Sequence, residues 1–461
     1  MLKMFLPLFS LFFILISPFT PASAQDSKTT ANPRAMETTK ATSPDNDWQG
    51  KTTVYSISSG MQVIMLEKHA NPLIACMIYV NAGSKYETDQ NNGVTHLLEH
   101  LLFDGTQTRS RVDITEGIKA KGGYINAFTQ KELTCYMIQM PNDYIEDGMA
   151  IQSDMLFNSA FPDSELAKER KVVIEEIKKD EDNIDYQVEK FFDSEAYSLT
   201  PYARPVLGSD ATISNMTREE IIDYYHTYYE PNNMIALVIG DFQTNQMKSL
   251  LQKYYGQKTT GKVPQTQPVK WTPTPGQEVK YKEVKTENTY VNICFGAPRF
   301  DDPDYFDFYM LTEILNLKTN SPLYQALSEG PDPLVTEVSA TLETQKEFSS
   351  LNLSITTNSP EKVDKILETT MKVLGDLSQE PLEQKLLKSV IVSSKTHRYY
   401  QEERLHFFGM MVAPVVVTSG WKFWDTFIDN LENVTPETLQ PVVKKYFSEP
   451  KYIATVVKPE M

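Results

Sequence analysis

Cysteine, histidine and basic charge are all scarce in this 461-residue chain, which has three cysteines, six histidines, and 44 Lys and Arg against 61 Asp and Glu. The formal charge of −17 argues against the phosphate-neutralising surface that nucleic acid binding needs, and against an anionic membrane surface. Acidic surfaces are also a common solubility device, so the sign alone does not name a partner beyond leaving room for basic or neutral peptides. Past the N-terminus no apolar run reaches the roughly 20 residues of a spanning helix. Cys76, Cys135 and Cys294 each sit in an apolar, strand-like run. Their odd number and these surroundings suit buried thiols, with one disulfide left open in an oxidising compartment.

What is present begins with a leader. Lys3 precedes an apolar run from Met4 to Ile16, then come Pro18, Pro21 and the small residues Ala22-Ser23-Ala24. This is the pattern of a secretory signal peptide, residues 1–24, and it predicts export to a periplasm; a retained N-terminal anchor is the alternative. Residues 25–48, rich in Thr, Ser, Ala, Asn, Asp and Pro, read as a flexible leader. The rest is long enough for two or more domains. A Pro-rich polar stretch at 256–283 reads as a linker between an N-terminal domain, 49–255, and a C-terminal domain, 284–461.

The two parts share an order of elements without obvious residue identity. Strand-like runs (53–57, 62–66, 73–80) lead to a helix near 93–103, then two strands (124–128, 133–139), helices at 145–158, 163–198 and 218–228, and a strand at 234–239. After the linker, a strand (289–295) leads to a helix (305–315), a short helix, two strands (334–342, 349–356), helices at 361–377 and 382–399, and a strand at 453–457. The pattern predicts an α+β fold of two homologous α/β-sandwich domains, each an antiparallel sheet packed with helices.

Within the first helix, His96-Leu97-Leu98-Glu99-His100 places two imidazoles four residues apart on one face. Two such rings can share one zinc ion, and Glu99 beside them can take a proton from an activated water. Chance would produce this pattern on the order of once per hundred chains or less at this histidine content. A catalytic zinc needs a third protein ligand and an open position. The segment from Asp163 to Ile177 offers Glu169 and Glu176, seven apart at the edge of a Leu166, Val173, Ile177 stripe. A carboxylate turned towards a core needs a cation, a donor or a metal, which makes Glu176 a candidate ligand and Glu169 an orienting carboxylate. His69, His226, His397 and His406 have no motif around them.

The inverted order His-x-x-Glu-His resembles the pitrilysin or insulinase family of metallopeptidases. So do Asn81 to Glu87, Phe103-Asp104-Gly105-Thr106, Asn126-Ala127-Phe128-Thr129, Glu169-Arg170 and Tyr229 to Met234, in the family's order. The resemblance implies a zinc metalloendopeptidase with one zinc per chain, held by His96, His100 and Glu176, the last in a Glu-Arg-x-x-Val-x-x-Glu pattern 76 residues after His100. Glu175 is the fallback ligand. Glu99 is implied as the catalytic base, with Glu169 beside it among the site's catalytic residues. Asn126 and Ala127 match an edge that grips an extended peptide substrate by strand pairing, unless theirs is an ordinary sheet strand.

The second part departs from the family pattern. Ser328 stands where an arginine is expected, and Val335 or Thr336 where a tyrosine is expected. Serine cannot supply the guanidinium's fork of donors. The departure resembles the zinc-holding chain of a two-subunit enzyme whose homologous partner supplies both residues in an enclosed chamber. A homodimer and a non-catalytic core subunit are the alternatives.

Overall fold

A computed structural model describes residues 52–258, 260–265, 267–272, 277–402 and 405–460. The expected signal peptide and flexible leader lie outside them. The chain runs β1 (Thr52–Ser56), β2 (Gln62–Glu67), β3 (Leu73–Val80), α1 (Val94–Leu102), α2 (Arg111–Lys119), β4 (Tyr124–Thr129) and β5 (Thr134–Pro141). Helices α3 (Ile145–Phe157), α4 (Asp163–Glu181), α5 (Ile184–Ala196), α6 (Asp210–Asn215) and α7 (Arg218–Tyr228) follow, then β6 (Met234–Gly240) and α8 (Thr244–Tyr255). The second half holds β7 (Gln277–Val284), β8 (Thr289–Ala297), α9 (Tyr305–Leu315), α10 (Pro322–Ser328), β9 (Glu337–Thr344) and β10 (Ser349–Thr357). It closes with α11 (Val363–Leu377), α12 (Gln384–Glu402), α13 (Leu405–Ser419), α14 (Trp421–Asp425), α15 (Phe427–Glu432), α16 (Pro436–Phe447) and β11 (Tyr452–Pro459).

The strands form two sheets, ordered β1-β2-β6-β3-β5-β4 and β7-β11-β8-β10-β9. β2 with β6 and β7 with β11 are parallel; the other pairs are antiparallel. With β1 set aside, the two orders are the same strand for strand. The architecture is therefore α+β with one topology used twice.

Alternation along β3 shows how each sheet is covered, because successive side chains point to opposite faces. Ile74, Cys76, Ile78 and Val80 pack with α1, α3, α4 and α7 in the main core of the first half. Ala75, Met77 and Tyr79 face the other way, onto Phe408, Val412 and Val416 of α13, a helix from the second half. The second sheet is treated reciprocally. Ile293, Leu353 and Val456 pack on its own helices, while Cys294 and Ile453 face Phe192, Ala196 and Tyr197 at the end of α5, from the first half. Each half thus lends one helix to the other's sheet, and burial of apolar area at roughly 25 cal/mol per Å² ties the halves together.

Several expectations need correction. The single helix expected over 163–198 is two, because Asp182 and Asn183 break it and the Asn183 side chain caps α5 by accepting from the Asp185 amide. Residues 277–283 of the expected linker belong to edge strand β7 (Gln277–Val284), in register beside β11. Trp271, also from that stretch, donates Nε1 to the Ala196 carbonyl at 2.8 Å and packs against Phe348, so the stretch is docked at this residue. The strand expected at 334–342 starts only at Glu337, since the amides of Leu334 and Val335 turn back to the Leu327 carbonyl. All three cysteines are free and buried, and burial pushes the Cys76 thiol up to about 12.

The halves also share residues that were not expected. Thr129-Gln130-Lys131-Glu132-Leu133 and Thr344-Gln345-Lys346-Glu347-Phe348 occupy the same turn in the two hairpins. Thr129 pairs with Thr134 and Thr344 with Ser349, and each turn closes by a Gln amide donating to the carbonyl three residues on, at 2.8 and 2.9 Å.

Candidate metal centre

Helix α1 is set by its leucines and by a buried acidic cap. Leu97, Leu98, Leu101 and Leu102 are fully buried against the first sheet's core. Glu87 accepts from the Gly93 and Thr95 amides at 2.8 and 2.9 Å, satisfying donors that a helix start leaves open. Gly93 takes a φ of 96°, and a side chain there would meet the Leu207 carbonyl. With the leucines turned inward, His96, Glu99 and His100 share the remaining face.

On that face, His96, His100 and Glu176 each offer one donor atom, all within 4.8 Å of one another. The His100 Nε2 to Glu176 Oε2 distance is 3.4 Å, near the separation of about 3.3 Å expected between tetrahedral zinc ligands at ordinary bond lengths. The expected third ligand thus joins the two histidines, carried by α4 as it packs on α1. Glu175, the fallback, is exposed and paired with Lys178 at 2.9 Å.

The donor set fits a divalent metal by its charge as well as by its spacing. Burial, helped by the neighbouring His100, lowers the His96 pKa to about 3, so this ring stays neutral with a lone pair to give. Its Nδ1 is buried without a hydrogen-bond partner among the described residues. Burial acts downward on His100 too, but Glu169, Glu176 and Glu99 outweigh it and raise that pKa to about 10. Three carboxylates thus converge on two imidazoles, an excess of negative charge that favours a cation.

Glu169 has both oxygens engaged. His100 Nδ1 donates to Oε2 at 2.9 Å, and Arg111 Nη1 to Oε1 at 2.6 Å while also reaching Asp104 at 2.7 Å. The His100 bond comes first among the causes that hold Glu169 down to about 2. It stands where the expected orienting carboxylate would, with one oxygen on His100 and the other on Arg111. Arg111 gave no signal in the sequence, because its role depends on α2 crossing near α4.

Glu99 stands beside the group. Burial raises its carboxyl above the ordinary value, against the opposing pull of His100 and of Thr129, whose hydroxyl donates to Oε2 at 2.6 Å. Thr129 ends β4, which pairs only with β5 among the described strands and so presents a sheet edge next to α1. Asn126 is exposed on that strand and Ala127 is buried. In the second half Ser328 has a buried hydroxyl without a partner among the described residues, and Val335 is core.

Residues 62–210 match the insulinase (peptidase family M16) model, and residues 215–391 match the model described as the peptidase M16 inactive domain. The chain belongs to this peptidase family. An uncharacterized zinc protease, YmxG, of Bacillus subtilis is 29% identical over 281 residues, covering 60% of this chain and 66% of that protein. The human mitochondrial-processing peptidase subunit beta is 28% identical over 259 residues, covering 55% and 52%. These matches therefore span between about half and two thirds of the relatives' lengths. In fold, a protease from Helicobacter pylori matches with a TM-score of 0.79 at 21% identity, covering 89% of this chain and all of that one. The first half of the periplasmic protease PqqL from Escherichia coli matches at 0.74 and 17% identity, covering 89% and 92%.

Proposed function

We propose that this chain is a zinc-dependent endopeptidase subunit that hydrolyses peptides or unfolded segments. The observation that carries this reading is the convergence of His96, His100 and Glu176 beside Glu99, next to a free sheet edge. Those three side chains would hold one zinc ion, which when bound supplies a Lewis acid that polarises a carbonyl and lowers the pKa of water. An extended peptide pairs with the backbone of β4 around Asn126 and Ala127, which orders the scissile bond without reading its side chains. Glu99 takes a proton from the attacking water and returns it to the leaving amine, a role suited to a carboxyl raised by burial. Glu169 and Arg111 keep His100 from rotating away.

Ser328, Val335 and Thr336 offer neither an arginine nor a tyrosine for substrate, which supports completion by a homologous partner subunit that encloses the peptide. The same absence supports a second reading, a non-catalytic core subunit. Zinc content and hydrolysis of an unstructured peptide, measured for the chain alone and with such a partner, separate these readings. About one zinc per chain with turnover is expected; zinc without turnover in either preparation would favour the core subunit. Export follows from residues 1–24, and a full-length chain retained in the cytoplasm on fractionation would refute it.

A further inference from the structure

The two Thr-Gln-Lys-Glu turns meet each other. Lys85 Nζ donates to Glu132 at 3.0 Å and to both Glu347 oxygens at 2.6 and 2.5 Å, and the Tyr202 hydroxyl lies within hydrogen-bond distance of both glutamates. The Lys346 amide donates to Glu132 Oε1 at 3.1 Å, and Thr418 Oγ1 to Glu132 Oε2 at 3.0 Å. Lys131, on the same turn, pairs with Asp193 of α5 at 2.6 Å. The first-half turn is thereby held by the second half and by the helix lent to it. This turn begins at Thr129, whose hydroxyl is bonded to Glu99. Its counterpart, Thr344, bonds Tyr305 at the start of α9 at 3.0 Å.

We propose that the second half's hairpin turn positions the catalytic base. Glu347 and Thr418 fix Lys85 and Glu132, the fixed turn holds Thr129 Oγ1 on Glu99 Oε2, and Glu99 Oε1 is left to take the proton. Thr129 is then a positioning residue, and the second half contributes to catalysis without touching substrate. A carboxylate free to swing loses much of its effectiveness, since misplacement by about 1 Å can cost on the order of a hundredfold. This proposal rests on reading Glu99 as the base.

The test uses the full chain, with its partner subunit where turnover requires one, and reads kcat, KM, zinc content and Tm for each variant. Thr129→Val is expected to lower kcat about tenfold at unchanged KM and zinc content, and Thr129→Ser to restore it to within about threefold. Glu347→Gln is expected to lower kcat about threefold, and the double variant to be no slower than Thr129→Val, because one residue acts through the other. Multiplying losses in the double variant, or wild-type kcat in Thr129→Val, overturn the proposal. Wild-type kcat in Glu99→Gln overturns the base reading instead. Amide exchange across residues 124–133 gives a readout free of turnover: Glu347→Gln should speed it, and unchanged protection there counts against the clamp.

Discussion

Helices α1 and α9 hold the same place in the two halves, each following the central strand of its sheet, yet they spend that place differently. Helix α9 is core almost throughout, with Phe308 stacked on Phe447 and Tyr309 edge-on to Phe427. Helix α1 buries its leucines with Val94 and Thr95 and turns His96, Glu99 and His100 to one side, with a His96 nitrogen that has no hydrogen-bond partner among the described residues. The fold does not require that histidine pair, since its second copy has none and carries instead two carboxylates, Asp307 and Glu313. Polar groups held away from water cost stability unless paired, so their presence in α1 supports placing the proposed chemistry in that half.

The comparison is broken most directly at the two residues that receive the hairpin threonines. Glu99→Gln should leave zinc bound and reduce kcat about a thousandfold, the range expected on losing a general base. Tyr305→Phe, at the equivalent contact, should leave kcat unchanged and shift only Tm. Equal effects on turnover would show that the halves do not divide the work in this way.

Metal removal separates the halves by stability. A ligand bound only by the folded state stabilises it, so chelation should lower Tm, and the loss should be reversed by added zinc. Exchange protection should fall in α1 and α4 and persist in α9 and α12. Uniform loss of protection across both sheets would place the metal's influence elsewhere.

A third difference lies behind the turns. Matching the strand registers sets Gly83 against Phe300, which turns onto Phe423 at 6.0 Å. At Gly83 an added Cβ would lie 2.2 Å from the Gln130 carbonyl oxygen and 2.6 Å from that of Lys131, backbone atoms that cannot swing aside. Gly83→Ala should therefore destabilise the chain by about 1–3 kcal/mol in denaturant unfolding. Wild-type stability would mean that the first turn is not pressed against this bend.

Much of this was legible in the residues. The apolar run 73–80 read as a strand, and His96-x-x-Glu99-His100 on a leucine-backed helix left little choice for its polar face. Edge strand β7 was hidden because Gln277 to Val284 alternates charge and apolar residues weakly, and its partner β11 lies at the other end of the chain. Helix α13 is apolar nearly all round, as a helix buried between a sheet and its own half must be, so it gave no amphipathic period. The Thr-Gln-Lys-Glu repeat was in plain sight, but its meaning depends on two turns meeting across the halves. Thr129 stood in a recognised motif without a role until β4 brought its hydroxyl to Glu99.

The smallest expected effect concerns the two exchanged helices. Helix α13 carries no carboxylate, whereas α5 brings Asp193 and Glu189 into a partly buried region facing Lys131, Glu343 of β9 and Asp180 of α4. Burial and then repulsion by Asp193 raise Glu189 from its ordinary 4.5 to about 8, with Lys131 opposing. A carboxyl raised on folding holds its proton more tightly in the folded state, so its contribution is present below pH 4.5 and is lost as pH rises towards about 8. Glu189→Gln removes that loss. The variant's Tm should equal the wild type's in acid and exceed it by about 2 °C above pH 8, the gap opening between those limits. Parallel Tm profiles from pH 4 to 9 would show that Glu189 is not the source, and that the helix lent by the first half costs no more at high pH than the one it receives.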